Sequence, residues 1–211
     1  MIRAVLFDVG GVIFSSPFDA FARYEREHDL PVDFIRQLNA TNPDTNAWSQ
    51  LERSAVSFDE FCDLFEAEAK AGGHELAARD VLALLSGDIR PEMLEAVRRC
   101  GERLKTAMLT NNFVPDVPAH VAGAPSGAMA TLAQLFDVVI ESSKVGVRKP
   151  DPRFYEMACE MLDIEPAEAV FLDDLGINLK PAKAMGMTTI KVVDPAQAIT
   201  DLEGVVGFPL R

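Results

Sequence analysis

The chain reads as an α/β protein: a mostly parallel sheet covered by helices on both faces, with a helical subdomain inserted after the first strand. Three observations predict this. Five short apolar runs have the length and β-branched content of buried strands. Helical apolar spacing fills most of the intervals between them, as parallel crossovers require. One interval, from Ser15 to about Ser86, carries several helical segments and no convincing strand.

Taken in order, the first run is Ile2 to Phe7. The interval after it is far longer than the dozen or so residues a crossover needs, so it reads as an insertion. Within it, Ser57 and Glu60 have capping-box spacing, and Phe58, Phe61, Leu64 and Phe65 give the following helix an apolar face. Pro91 to Val97 starts another helix, with Met93, Leu94 and Val97 on one side, and leads to the second run, Thr106 to Leu109. Val114 to Ala130 is rich in Pro, Gly and Ala, and predicts a loop followed by a short helix. The third run is Phe136 to Ile140. From Asp151 to Leu162, Phe154, Tyr155, Ala158, Met161 and Leu162 recur at helical spacing, with Asp151 as cap and Pro152 in the first turn. Ala169 to Leu172 and Thr188 to Val193 complete the strands.

Composition narrows the function. With 211 residues, 48% of them apolar, the chain can bury a substantial core. Its 33 acidic against 20 basic residues give a net charge of −13, which repels nucleic acid and anionic membranes and predicts neither as a partner. No apolar stretch approaches the ~20 residues that span a bilayer, and MIRAVLFDVGG lacks the charged start and cleavage region of a signal peptide. A cytoplasmic location is the expectation. Cys62, Cys100 and Cys159 are three and widely spaced, which favours reduced, buried thiols over disulfides or zinc. His28, His74 and His120 stand in no recognisable catalytic triad.

Ligands of open parallel sheets bind beyond the carboxyl ends of the strands, so the residues following each run carry the functional signal. Asp8 follows the first, in FDVGGV; Thr110, Asn111 and Asn112 follow the second; Lys149 comes soon after the third, in SSKVGVRKPDP; Asp173 and Asp174 follow the fourth, in FLDDLGIN. Singly, each admits an ordinary role: Asp before Gly-Gly as a turn former, Thr-Asn-Asn as a strand-to-loop junction, Lys149 as a solvated lysine. Two adjacent carboxylates at the edge of a core are less ordinary, because they repel one another unless a cation holds them. Together the residues supply acids for a hard divalent cation, donors for phosphate oxygens and a lysine to neutralise charge.

FDVGG, LTNN, GVRKPDPRFY and FLDDLGIN resemble the four ordered motifs of the haloacid dehalogenase superfamily, and they span Asp8 to Asn178. The pattern is most similar to a branch that includes the amino-terminal phosphatase domain of soluble epoxide hydrolase and a domain of certain acyl-CoA dehydrogenase fusion proteins. The segment from Phe171 to Ala182 matches that branch's FLDDxGxNLKPA. The resemblance implies a Rossmann-like core, residues 1–14 and 87–211, with a helical cap, residues 15–86. It implies a magnesium-dependent phosphatase of small phosphate esters that forms an aspartyl phosphate. Asp8 would be nucleophile and metal ligand, the carbonyl of Gly10 a second ligand and Asp174 the third, with Asp173 and Asn178 in support. Thr110 and Asn111 would hold the phosphate and Lys149 would bridge it to Asp8. WSQLERSAVSFDEF, Trp48 to Phe61, resembles a cap segment in which glycine is common at the place of Ser54.

One departure stands out. Active phosphatases of the superfamily commonly have a general acid/base aspartate two residues after the nucleophile, and that position is Gly10. The change leaves open a rival reading, a phosphatase fold that binds a phosphorylated ligand or a protein partner without turnover. Dehalogenation, which needs no metal, is disfavoured by the Asp173–Asp174 pair. A response-regulator receiver is excluded by order, since its acidic pair follows the first strand. Oligomeric state is not encoded in any of these features.

Overall fold

The computed structural model describes residues 1–85, 87–113 and 126–211. The chain opens with β1 (Ala4–Phe7) and then runs through five helices: α1 (Phe18–Glu27), α2 (Phe34–Ala40), α3 (Ala47–Glu52), α4 (Phe58–Ala71) and α5 (Ala78–Ala83). It continues as α6 (Pro91–Gly101), β2 (Lys105–Thr110), α7 (Ser126–Ala133), β3 (Val138–Glu141), α8 (Ser142–Val145), α9 (Pro152–Leu162), β4 (Ala169–Asp173), α10 (Gly176–Ala184), β5 (Thr188–Lys191) and α11 (Pro195–Val206). All five expected strands form, with ends shifted by a residue or two. The loop expected from Val114 lies outside the described residues, and the short helix after it is α7.

The strands make one parallel sheet in the order β3-β2-β1-β4-β5. Alternation along β1 divides the core: Val5 and Phe7 pack with Met93 and Val97 of α6 and Ile199 and Leu202 of α11. Ala4 and Leu6 face the other way, onto Phe154 and Tyr155 of α9 and Leu179 and Ala182 of α10. Both sheet faces are thereby covered, which is why the strands read as continuous apolar runs.

Helices α1–α5 enclose a third cluster of their own, built on Phe21, Ile35, Leu51, Phe61, Phe65 and Leu82. The Ser57–Glu60 capping box forms at the start of α4, each side chain satisfying the other's backbone N–H. The chain leaves β1 and returns to α6 through a narrow neck, where Ser15 N donates to Asp88 O at 2.8 Å and Arg90 N to Ile13 O at 2.9 Å. Ser54 has φ 53°, in the left-handed region. This is the physical reason glycine suits that place. The three cysteines are free and buried; burial pushes the Cys100 thiol up to about 12 and that of Cys159 up to about 11. Among the described residues, no helix is long and apolar enough to cross a membrane.

Candidate active site

Asp8 directly follows β1 at the centre of the sheet, and the adjacent strand ends carry Thr110 on β2 and Asp173 on β4. Parallel pairing aligns the carboxyl ends of these strands, so residues more than a hundred positions apart in sequence converge. Asp8 N donates to Leu172 O at 2.9 Å, and Asp8 Oδ1 accepts from Val9 N at 2.6 Å. The following turn is shaped by Gly11, whose φ of 72° and close approach to Asp174 exclude a side chain: a Cβ there would meet Asp174 Oδ2 at 2.2 Å. Arg90 supports the same turn, donating from Nη1 to Gly11 O at 2.7 Å.

Lys149 is the charged centre. It is 1% exposed, with Nζ 2.7 Å from Asp8 Oδ1 and 2.8 Å from Asp173 Oδ2. Burial opposes a charge on this amine, but Asp173 and Asp8 hold its pKa raised above the usual lysine value. Burial likewise pushes the Asp8 carboxyl well up, opposed by Lys149. Asp173 is fully engaged: besides Lys149, it accepts from Leu175 N at 2.8 Å and from Asn178 Nδ2 at 3.0 and 3.1 Å. Asn178 is itself fixed, its carbonyl accepting from Tyr155 at 2.7 Å.

Asp8, Asp173 and Asp174 each bring a carboxylate oxygen to within 4.8 Å of the others. The Asp174 carboxyl is raised to about 6 by burial, with Asp173 adding to the shift. An all-oxygen cluster of this charge suits a small hard cation such as magnesium. Asp173 already accepts from Lys149, Leu175 N and Asn178, whereas Asp8 and Asp174 line the cavity directly and could offer oxygens to such a cation.

Above this floor is a cavity of roughly 850 Å³ shared by the sheet edge and the inserted helices. Gly10, Thr110, Asn111, Lys149 and Asn178 line it with Asp8 and Asp174, while its walls are largely apolar, including Phe18, Phe21, Trp48, Leu82, Leu85 and Phe113. Every residue expected from the motifs therefore lies at or directly beneath one cavity. Asn111 behaves unlike a free phosphate donor: its Nδ2 donates to Lys149 O at 3.0 Å and its Oδ1 accepts from Lys149 N at 2.9 Å. Sequence reasoning missed Glu52, Arg90 and Arg148. Glu52 is buried at the end of α3, 2.6 Å from Arg148 Nε; burial pushes its carboxyl up and Arg148 opposes the shift.

Residues 2–186 match the haloacid dehalogenase-like hydrolase family. The chain belongs to that family. It is 34% identical over 215 residues to acyl-CoA dehydrogenase family member 10 of Mus musculus, and 34% identical over 222 residues to bifunctional epoxide hydrolase 2 of the same organism. Both matches cover 99% of this chain but only 20% and 40% of those longer proteins. A sesquiterpene phosphatase of Aspergillus oryzae is 29% identical over 208 residues, covering 97% of each chain. Among solved structures, a haloacid dehalogenase family enzyme of Bacteroides thetaiotaomicron, in complex with magnesium and inorganic phosphate, aligns with a TM-score of 0.59. That match has 19% identity and covers 90% of this chain and 94% of that one, which shows the shared fold. This haloacid dehalogenase-like hydrolase thus has phosphatases among its relatives, and magnesium is bound in a protein of the same fold.

Proposed function

We propose that this hydrolase is a magnesium-dependent phosphatase that attacks a small phosphate ester with Asp8. The observation that carries the reading is the Asp8–Lys149–Asp173 contact beside Asp174 on the floor of one cavity. A pure binding surface for phosphate would favour cations and N–H donors over three carboxylates.

In the proposed reaction an Asp8 carboxylate oxygen attacks phosphorus, the ester P–O bond breaks, and its electron pair leaves with the alcohol oxygen. Water then hydrolyses the aspartyl phosphate, returning Asp8 and releasing inorganic phosphate. Asp8 Oδ1 is held by Val9 N and Lys149, which fixes the carboxylate at the floor of the cavity. Lys149 offsets the charge of the incoming phosphate, and Asp173 fixes its ammonium in place. Asp8, Asp174 and the Gly10 carbonyl would hold magnesium, which when bound supplies the positive charge that lets a dianionic ester approach carboxylates. Thr110 would donate its hydroxyl to the phosphate. Asn111, whose side chain is committed to Lys149, would contribute through its main chain.

The helices of residues 15–86 act in this reading as a cap that excludes water and selects the alcohol. Their aromatic and aliphatic wall favours an apolar leaving group. Gly10 supplies no general acid. Among the described residues, the cavity's other acids outside the metal set are occupied: Glu52 by Arg148 and Trp48, Glu141 by Asn112 and Lys144. The favoured substrates are therefore esters whose oxygen leaves without protonation, such as aryl and acyl phosphates.

Gly10 also favours the second reading, a binder without turnover. Phosphate release from a panel of aryl, acyl, sugar and nucleotide phosphates, with and without magnesium, separates the two. Release that requires magnesium supports the phosphatase. Phosphate binding with no release of any kind supports the binder, and full activity in excess EDTA rejects the proposed mechanism.

A further inference from the structure

Glu52 has no place in the reaction just described, yet it is buried at the point where the inserted helices meet the core. Its Oε1 accepts from the Trp48 indole at 3.0 Å, while its Oε2 lies 2.6 Å from Arg148 Nε and accepts from Asn111 Nδ2 at 3.3 Å. Trp48 belongs to the inserted helices; Arg148 and Asn111 belong to the core. Two further ties cross the same seam: Arg148 Nη1 donates to Pro43 O at 2.9 Å, and Ser54 Oγ donates to Ser143 O at 3.1 Å.

A carboxylate removed from water is tolerated only when its donors are in place. The Glu52 donors come from both sides of the seam, so its partners are complete only in the docked arrangement. Asn111 connects this seam to the chemistry. Its side-chain amide grips the peptide of Lys149 at both the N–H and the carbonyl, and Glu52 accepts from the same Nδ2 that donates to Lys149 O. Turning that amide over would set its oxygen against the Glu52 carboxylate and the Lys149 carbonyl. Glu52 thus reinforces, from the inserted helices, the orientation in which Asn111 holds the backbone of Lys149.

We propose that Glu52 is a positioning residue: it latches the inserted helices onto the core and, through Asn111, sets Lys149 so that its ammonium meets Asp8 only in the docked arrangement. This rests on the phosphatase reading for its consequence in turnover. A displacement of about 1 Å at a reacting group can cost about 10²-fold in rate, and the Lys149 Nζ contacts of 2.7 and 2.8 Å leave little room for one.

The test compares wild type with Glu52→Gln, which keeps the shape and removes the charge, and with Arg148→Met. Trp48 is the chain's one tryptophan, so its emission reports the seam directly. Both variants should lower kcat about 10²-fold, with a smaller change in KM, weaken inorganic phosphate binding in the presence of magnesium, and shift Trp48 emission to the red. The double variant should be little worse than either single one, because both break one unit. A purely structural role would lower Tm but leave kcat and phosphate affinity within about threefold of wild type at temperatures well below Tm, and that result overturns the proposal. Fully additive losses in the double variant overturn it too. A wild-type protein that binds phosphate but turns over no ester would defeat the phosphatase reading alone, since phosphate affinity and Trp48 emission still test the latch.

Discussion

Replacing Gly10 by aspartate tests the consequence of the missing acid. Gly10 has φ −66° and ψ 133°, an extended conformation open to any residue, and a Cβ built there meets none of the described residues within 4 Å. It is exposed and lines the cavity that holds Asp8 and Asp174, which places the substituted residue beside the site. A positioned general acid contributes about 10²- to 10⁴-fold, equivalent to about 2.7–5.5 kcal/mol of barrier, and the gain falls on leaving groups that need the proton. The assay is kcat/KM across a series running from nitrophenyl to simple alkyl phosphates. Wild type should depend steeply on leaving-group acidity, and Gly10→Asp should flatten that dependence by accelerating the alkyl esters most. Circular dichroism and a magnesium titration establish that the variant is folded and loaded. A wild-type rate that is flat across the series would refute the reasoning, as would a folded, magnesium-binding variant whose slope is unchanged.

The neighbouring glycine should behave in the opposite way. Gly11→Ala forces a side chain onto a positive φ and into Asp174, and should weaken magnesium binding by about 10- to 100-fold, read by calorimetry. Asp8→Asn should remove turnover while retaining the fold, because the near-isosteric amide is a poor nucleophile; wild-type phosphate release from that variant would rule out the covalent route. Magnesium affinity should fall as pH drops through about 6, where protonation of Asp174 competes with the metal; a flat profile from pH 8 to 5 would remove Asp174 as a ligand. Phe18→Ala takes away one apolar wall, so KM for bulky apolar esters should rise by about tenfold or more while small aryl phosphates change less, measured as a ratio of kcat/KM values.

The strand ends were legible because a strand buried on both faces must be apolar throughout, so polar residues directly after each run mark where the sheet meets solvent. Asp8, Thr110, Asp173 and Asp174 stood out for that reason. The helical insertion was legible because Ser15 to Ser86 has helical spacing and no strand. Arg90 was not, because a lone arginine before a helix carries no signal of the carbonyl it will reach. Ser54 was visible as a departure from glycine, but its cause, a positive φ at the end of α3, belongs to the folded backbone.

By itself, the sequence determined the α/β class, the five strands and the set of polar residues at their ends, because periodicity and local chemistry act over a few neighbours. Only the tertiary structure decided how that set is shared out. It gave Asp173 to Lys149, and it turned the Asn111 amide onto the Lys149 peptide. It also brought Glu52 to Arg148 from a distant part of the chain. These are contacts between segments far apart in sequence, and their partners exist only once the sheet has aligned its strand ends and the inserted helices have docked across them.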